Sequence, residues 1–330
     1  MATYRALKGF EIQVQSSDPS DPPKGQVWYN TTAGTLKMAG AGAWASGTTL
    51  PSPASRYSIA GFGIATAGAI VGGYGGSPTN NNETNEYDGT SWASGGNMAA
   101  QASNTGSSGT QTAAFTAGGY GPSSEVATSA TYNGTSWTAA GSVVDGARGI
   151  KNNQSAGTET AGMIYGSQDA GNTSHETFDG SSWTAATDMN VARGSSAGMG
   201  VQTAAIACAG GYPNTSTLDT TEEWDGATWA AGGTLNQARN KAAGGPGGSS
   251  YNNAWLGGGS SSTPALIGNT ESYDGSTWTA EAVMANTRNS YGSFGTKTSG
   301  VVAGGAPGPT DMEAVEEFTL VDTIQTITST

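Results

Sequence analysis

The sequence predicts an all-β propeller of six four-stranded antiparallel sheets, and three observations carry this prediction. The first is a motif in which an aromatic residue is followed by Asp-Gly or Asn-Gly and then, three residues later, by tryptophan, at 87–92, 132–137, 178–183, 224–229 and 273–278. The second is its spacing, because the closing tryptophans lie 45 to 49 residues apart. The third is a glycine pair, such as Gly72-Gly73, that ends a small apolar segment in the copies. A period of about 40 to 50 residues is typical of propellers, and six glycine-pair positions with four strands each predict six sheets.

Composition favours one large all-β domain with a polar surface. The 330 residues include 53 glycines, which repeated tight turns require, and nine tryptophans and twelve tyrosines, which supply buried area. Twelve Lys and Arg stand against 25 Asp and Glu, for a net charge of −13. Nucleic acids and anionic membranes bind clustered positive charge, so neither is an expected partner. No apolar run approaches the roughly 20 residues that span a bilayer.

The N-terminal region differs from the repeat. Residues 10–14 alternate like a short strand, and the Pro/Asp/Ser-rich residues 16–25 resemble a stiff linker. We interpret 1–26 as an attachment arm and 27–330 as the propeller; a frayed terminus is the alternative for the arm. Residues 27–30 and 35–38 predict two strands around a turn.

Each repeat predicts four strands in a fixed order. A basic residue opens the first strand, at Arg56, Arg148, Arg193, Arg239 and Arg288, whereas the second copy has Gln101 and Asn104 in this region. The second strand ends at the glycine pair and a variable loop follows. The third strand carries a glutamate one or two residues before the aromatic residue, at Glu86, Glu176, Glu223 and Glu271. The Asp-Gly turn, which hairpins prefer, leads to the tryptophan strand. We expect the arginines to pair with the repeat glutamates.

The two ends of the repeat region complement each other. The last copy stops at residues 316–318 without a turn or a tryptophan, and Trp44 has no complete unit before it. We therefore predict that the Trp44 strand completes the sixth sheet and closes the propeller. The structural repeat tryptophans are then Trp44, Trp92, Trp137, Trp183, Trp229 and Trp278. Residues 319–330 alternate like one further strand.

The combination of Gly-Gly, Glu, aromatic-Asp-Gly and Trp resembles the Kelch repeat of galactose-oxidase-type propellers over residues 44–318. The arrangement of residues 25–32 ahead of Leu36-Lys37, followed by these repeats, is more narrowly similar to Kelch-like structural proteins of tailed bacteriophages, especially marine phages and cyanophages. This resemblance implies a non-enzymatic virion protein, such as a tail fibre, an appendage or a capsid or neck decoration. It would be made in the bacterial cytoplasm, bind other virion proteins through residues 1–26, and be present as a homo-oligomer or in many copies.

The sequence offers few of the residues that an enzymatic function would require. The copper site of galactose oxidase needs two histidines, and the chain has only His175, which we expect in a turn or loop, and one cysteine, Cys208, which we expect as a buried filler beside its glycine pair. A single Asp per turn is too sparse for Ca²⁺. No catalytic, cofactor-binding or metal-binding residue is therefore predicted. A glycan-active enzyme and a cellular Kelch interaction module remain the alternative functions.

The variable loops after the second strands share one face with the connections that follow the fourth strands. Loops on a rigid scaffold commonly carry binding function. We predict that this face binds a partner protein or a host-surface glycan, with Tyr74, Tyr120 and Tyr212 as candidate stacking residues. Packing beside the glycine pair is the alternative role for these tyrosines.

Overall fold

Short strands make up almost all the regular structure. The computed structural model describes residues 12–19, 25–40, 42–51, 56–75, 80–150, 154–167, 172–211, 216–245, 251–262, 265–306, 313–320 and 324–327. The first strands are β1 (Gln13–Gln15), β2 (Val27–Asn30), β3 (Thr35–Met38) and β4 (Gly42–Ser46). They are followed by β5 (Ala60–Ile64), β6 (Ala67–Val71), β7 (Thr84–Tyr87), β8 (Trp92–Ser94), β9 (Gly106–Thr110), β10 (Ala113–Ala117), β11 (Ser129–Tyr132) and β12 (Trp137–Ala140). The central strands are β13 (Ser155–Thr158), β14 (Ala161–Tyr165), β15 (His175–Phe178), β16 (Trp183–Ala185), β17 (Ala197–Val201), β18 (Ala204–Cys208), β19 (Thr221–Trp224) and β20 (Trp229–Ala231). The last are β21 (Ala243–Gly244), β22 (Trp255–Gly257), β23 (Thr270–Tyr273), β24 (Trp278–Ala280), β25 (Gly292–Thr296), β26 (Ser299–Ala303), β27 (Val315–Leu320) and β28 (Gln325–Ile327), with one 3-10 turn at Tyr251–Asn253.

The described strands form seven four-stranded sheets. Five of them use four consecutive strands each: sheet 1 (β5–β8), sheet 2 (β9–β12), sheet 3 (β13–β16), sheet 4 (β17–β20) and sheet 5 (β21–β24). Sheet 6 contains β25, β26, β27 and β4, and the terminal sheet contains β1, β2, β3 and β28. Neighbouring strands in sheets 1 to 6 are antiparallel, whereas β1 and β2 run parallel.

The Asp-Gly motif forms the turn between the third and fourth strands. In sheet 1, Tyr87 pairs with Trp92, and Asp88 Oδ1 accepts hydrogen bonds from the N–H groups of Thr90 and Ser91 at 2.8 and 2.7 Å. Gly89 has a φ of +97°, which L side chains rarely adopt. The same turn recurs at Asn133, Asp179, Asp225 and Asp274. The motif therefore fixes the hairpin register in five sheets.

Small residues bring the first strands of the six repeat sheets together. β5 contacts β9, β9 contacts β13, β13 contacts β17, β17 contacts β21, β21 contacts β25, and β25 contacts β5. Ser107 Oγ donates to Gly61 O at 3.1 Å, and Ser155 Oγ donates to Ser107 O at 2.9 Å. A Cβ atom on Gly61 would lie 2.4 Å from Ser293 O, so this approach requires glycine. The contacts run in a cyclic, propeller-like order.

The repeat tryptophans pack between neighbouring sheets. Trp137 of sheet 2 lies against Phe62 of sheet 1, with ring centroids 6.0 Å apart, and Trp183 of sheet 3 lies 5.7 Å from Phe115 of sheet 2. The same relationship holds for the pairs Trp229–Tyr165, Trp44–Trp255 and Trp92–Phe294. Aromatic rings thus form the hydrophobic core between sheets, where they bury large areas with few residues.

The predicted pairing of the Trp44 strand is confirmed. β4 runs antiparallel to β27, with Trp44 opposite Phe318 and Ser46 opposite Glu316. The backbone N–H of Leu50 then donates to Glu313 O at 3.1 Å. Sheet 6 is therefore built from both ends of the repeat region.

The predicted number of six sheets is wrong, because the terminal sheet is a seventh. Here β1 pairs with β2, and β28 pairs with β3. The predicted boundary between residues 26 and 27 falls inside this sheet. The strands predicted at 27–30 and 35–38 are confirmed as β2 and β3. Their pairing with β1 and β28 has no counterpart in the repeat, so periodicity does not reveal the sheet. Residues 1–11 and 20–24 of the predicted arm lie outside the described residues.

Candidate functional site

The repeat arginines lie inside the sheets. Four of them form ion pairs whose side chains are at most 4% exposed: Arg148–Glu176, Arg193–Glu222, Arg239–Glu271 and Arg288–Glu316. In sheet 6, Arg288 Nη2 lies 2.6 Å from Glu316 Oε1, and Nη1 donates to Gly304 O at 3.0 Å and to Ala314 O at 2.8 Å. Burial lowers the pKa of the Arg288 guanidinium, and the Glu316 carboxylate opposes this shift. Each of these arginines therefore joins the segment before the first strand of its own sheet to the third strand of that sheet.

For two of the repeat glutamates, Glu86 and Glu223, the expected pairing with an arginine is wrong. Arg193 pairs with Glu222 rather than with Glu223. Glu223 instead accepts a hydrogen bond from the Tyr273 hydroxyl of the next sheet, and Glu86 likewise accepts one from Tyr132 at 2.6 Å. Successive side chains of a strand point to opposite faces, so a shift of one residue changes the partner completely.

Sheet 1 replaces the acid by an amide. Arg56 Nη2 donates to Asn85 Oδ1, and Nη1 donates to Gly72 O at 3.2 Å. The Arg56 side chain is fully buried, and this burial lowers its pKa to about 10. The arginine position is therefore used structurally even without a carboxylate.

Two of the three predicted tyrosines line one cavity. Tyr74 and Tyr120 each follow a glycine pair and form reciprocal backbone hydrogen bonds, Tyr74 with Tyr57 at 2.9 and 2.7 Å and Tyr120 with Ser103 at the same distances. Together with Asn80, Asn104 and residues 121–124 they surround a volume of about 550 Å³, which we call the polar cavity. Tyr74 is 37% exposed, so an aromatic face is open to solvent here.

An amide group is fixed in the wall of the polar cavity. Asn80 is 5% exposed, and its Nδ2 donates to Gly121 O at 2.7 Å and to Tyr120 O at 3.3 Å. Its Oδ1 accepts no hydrogen bond from the described residues. The Tyr57 and Tyr74 rings lie 5.2 Å apart beside it. The accessible ring of Tyr74 is the group that a sugar could stack on here, whereas Asn80 Oδ1 is itself buried.

Tyr212 lies outside the described residues. Gly211, which precedes it, donates its N–H to Gly194 O at 2.9 Å, the bond that Tyr74 makes with Tyr57 O in sheet 1, so Gly211 occupies the position that corresponds to Tyr74. The tyrosine pair of the polar cavity is thus built by sheets 1 and 2, and its third predicted member stays a prediction.

Backbone hydrogen bonds join the sheets at the base of this face. Residues in the left-handed region precede the first strands at Ser58, Asn104, Ser195, Lys241 and Ser290. The Asn104 N–H donates to Ser58 O at 3.0 Å, and the Ser290 N–H donates to Lys241 O at 3.1 Å. Ser58 and Asn104 also line the polar cavity. The cavity therefore lies on a rigid, hydrogen-bonded base.

A second, smaller cavity lies beside the first. It has a volume of about 230 Å³, and Met98, Ala102, Val126, Ala130 and Trp137 are among its lining residues. We call it the apolar cavity. Both cavities include Gly121 and Pro122 in their lining, so they adjoin at this turn. The sequence predicts that the second copy lacks the arginine, and the strand pairing adds that Ala130 stands at the position of the matching acid.

The histidine and the cysteine are core residues. His175 was expected in a turn or loop, but it begins β15 and is 1% exposed. Its Nδ1 lies 3.1 Å from Thr187 O and 3.3 Å from Trp229 Nε1, and burial lowers its pKa to about 4. Cys208 is fully buried, which raises the pKa of its thiol. Within the described ranges no three His, Cys, Asp or Glu side chains are placed to hold a metal ion.

Comparisons with known proteins add no family assignment. No protein-family model matches the chain, and no curated protein is significantly similar to it. In the part of the chain that the structure describes, no helix has the length and apolar character needed to cross a bilayer.

Proposed function

We propose that this chain is a non-enzymatic virion structural protein of a tailed bacteriophage. A six-bladed Kelch-like propeller is displayed outward from a fibre, an appendage or a decoration, and it binds a host-surface glycan or another virion protein. The single observation that carries the binding role is the polar cavity, where Tyr74 and Tyr120 come together on a rigid base.

The sheet order supports the closed six-bladed form. Sheets 1 to 6 share one strand order, and their first strands contact one another cyclically. β4 completes sheet 6 through its pairing with β27. Sharing one blade between the two ends of a repeat region leaves few open edges, which stabilises a propeller.

The use of charged groups supports a non-enzymatic role. The arginine–glutamate pairs that follow the repeat are buried and bound to each other, and the turn carboxylates accept local backbone hydrogen bonds. The residues that vary between repeats instead line the open cavities. Variation on a fixed scaffold fits recognition of a partner.

The terminal sheet supports attachment. It combines β1 from the predicted arm with β28 near the other end of the chain, outside the six repeat sheets. Val14 of β1 is 67% exposed and Ile327 of β28 is 40% exposed. These apolar side chains fit contact with sister copies or other virion proteins.

Binding of full-length chain to an array of bacterial surface glycans tests the recognition role. We expect Tyr74→Ala and Tyr120→Ala each to weaken binding, because the stacking of a sugar ring on an aromatic ring is lost. The control is Ile64→Ala, since Ile64 is 46% exposed at the far end of β5. Equal binding by all three variants would contradict the use of this face.

Immunogold labelling of purified particles tests the location, and label confined to cell debris would contradict the virion role.

A further inference from the structure

Sheet 2 lacks both members of the buried ion pair. The acid is the second residue of the third strand in sheets 3 to 6, for example Glu222 in β19, and the corresponding residue of β11 is Ala130. In sheets 4 to 6 the arginine stands four residues after a buried apolar residue, as Arg193 does after Met189, and the corresponding residue after Met98 is Ala102. Two large side chains are thus replaced together by methyl groups.

The apolar cavity occupies the place of this missing pair. Ala102 and Ala130 both line it, with Met98, Val126 and Trp137. Ala99 and Ala100 are exposed and also line it, so the cavity reaches solvent. A ligand can therefore enter the space that Arg and Glu fill in the other sheets.

Backbone carbonyl oxygens that accept from the arginine in other sheets have no such donor among the described residues of sheet 2. In sheet 6 the arginine donates to the carbonyl oxygens of Gly304 and Ala314, and in sheet 4 it donates to those of Ala209 and Thr220. The corresponding residues of sheet 2 are Gly118 and Thr128, which both line the apolar cavity. Thr128 O accepts the Gly118 N–H at 3.0 Å, as Ala314 O accepts that of Gly304 in sheet 6, and no described side chain donates to either carbonyl.

Backbone N–H groups that donate to the glutamate in other sheets likewise have no carboxylate acceptor in the described part of sheet 2. In sheet 4 the Glu222 carboxylate accepts from the N–H groups of Asn190 and Val191, at 2.7 and 3.1 Å. The corresponding residues of sheet 2 are Ala99 and Ala100, and no described residue accepts from their N–H groups. The cavity thus combines two acceptors, two donors and apolar walls.

These groups favour one class of occupant. A cation would find no carboxylate and an anion no guanidinium, so burying either charge is unfavourable. A neutral carboxamide matches both sides, because its carbonyl accepts from N–H groups, its N–H donates to carbonyls and its methyl group contacts Met98 and Val126. The polar cavity next to it carries the exposed ring of Tyr74.

We propose that the apolar cavity of sheet 2 binds the acetamido group of an N-acetylated sugar whose ring lies in the polar cavity. This inference rests on the proposed recognition function and narrows its ligand class. The five sheets with an arginine have this space filled, so the site is specific to sheet 2.

Saturation-transfer NMR and calorimetry with full-length chain test the proposal, using N-acetylglucosamine, N-acetylgalactosamine and N-acetylmannosamine against the parent hexoses. For at least one pair we expect the acetamido sugar to bind about tenfold more tightly, as one or two net hydrogen bonds predict, with the methyl group receiving the strongest saturation. The double variant Ala102→Arg with Ala130→Glu restores the pair of the other sheets and should abolish this difference. Ala130→Leu fills the cavity without charge and should do the same.

Three outcomes separate the claims. Loss of the difference in both filled variants supports the site. Equal binding of acetamido sugars and hexoses, unchanged by the filled variants, overturns the acetamido site while leaving a glycan-binding face. Absence of binding by any sugar to the unaltered chain, together with no binding on the glycan array, overturns both the site and the glycan-recognition role.

Discussion

Phe318 of β27 lies directly opposite Trp44 of β4, and their ring centroids are 5.1 Å apart. This pair joins residues from the two ends of the repeat region in one sheet. Trp44 also contacts Trp255 of sheet 5, and its Nε1 donates to Ala282 O at 3.0 Å. The indole therefore contacts two neighbouring sheets, and it joins the two ends of the repeat region.

Removal of Trp44 should destabilise the fold strongly. We expect Trp44→Ala to lower the free energy of unfolding by about 2 kcal/mol, somewhat less than a fully buried Trp→Ala change costs, because Trp44 is partly buried against the core of sheets 5 and 6. Deleting residues 1–47 should lower the Tm far more than deleting 1–26, because only the longer deletion removes β4. Thermal unfolding measures both, with Val14→Ala as a control at an exposed site of β1. Equal Tm values for the two deletions would show that β4 does not hold the fold together.

The buried ion pairs predict an asymmetric double-mutant cycle. Arg288→Met leaves the Glu316 carboxylate buried without its partner and should cost about 3–5 kcal/mol. Arg288→Met combined with Glu316→Leu should cost much less, because no unpaired charge remains. Sheet 2 already carries Ala102 and Ala130 at these positions. Chemical denaturation of the single and double variants measures the difference, and additive losses would refute the role of the pair.

The turn carboxylates predict a loss of stability in strong acid. Hydrogen bonds from the backbone of Ser91, together with those from Thr90, hold the pKa of Asp88 below its ordinary value of 3.8. A depressed folded pKa stabilises the protein above the ordinary value, and this contribution is lost as the pH falls below about 4. Replacing Asp88, Asp179, Asp225 and Asp274 by Asn, the residue that the second copy has at Asn133, should flatten the Tm against pH in this range. An unchanged slope would contradict the assignment.

His175 predicts a separate transition at milder pH. Burial lowers its folded pKa to about 4, so the unfolded chain binds the proton first as the pH falls below 6.5. Stability should therefore be full above pH 6.5 and decline by about 3 kcal/mol down to pH 4. The Tm of His175→Asn between pH 7 and pH 4.5 should change less than that of the unaltered chain. Parallel curves would mean that His175 titrates normally.

Local pattern predicts the repeat sheets well because the turn motif sets strand ends and register together. Tyr87 opposite Trp92 and Tyr273 opposite Trp278 follow directly from Asp-Gly between them. The pairing of Trp44 with the last sheet follows from two incomplete copies.

What the pattern missed depends on contacts without a repeat. The terminal sheet joins strands from distant parts of the chain, and neither β1 nor β28 has a copy elsewhere. The partner of Arg193 depends on a one-residue register that only the strand pairing reveals. The apolar cavity arises where Ala102 and Ala130 replace a pair, and two small residues give no positive pattern to recognise.

A cryo-EM reconstruction of native particles containing this chain tests the proposed function most directly. We predict several symmetry-related copies, each with the terminal sheet against the particle and with the face of Tyr74 and Tyr120 directed outward. A free monomer in the cell, or copies whose polar cavity is buried against the particle, would contradict the proposed display and recognition.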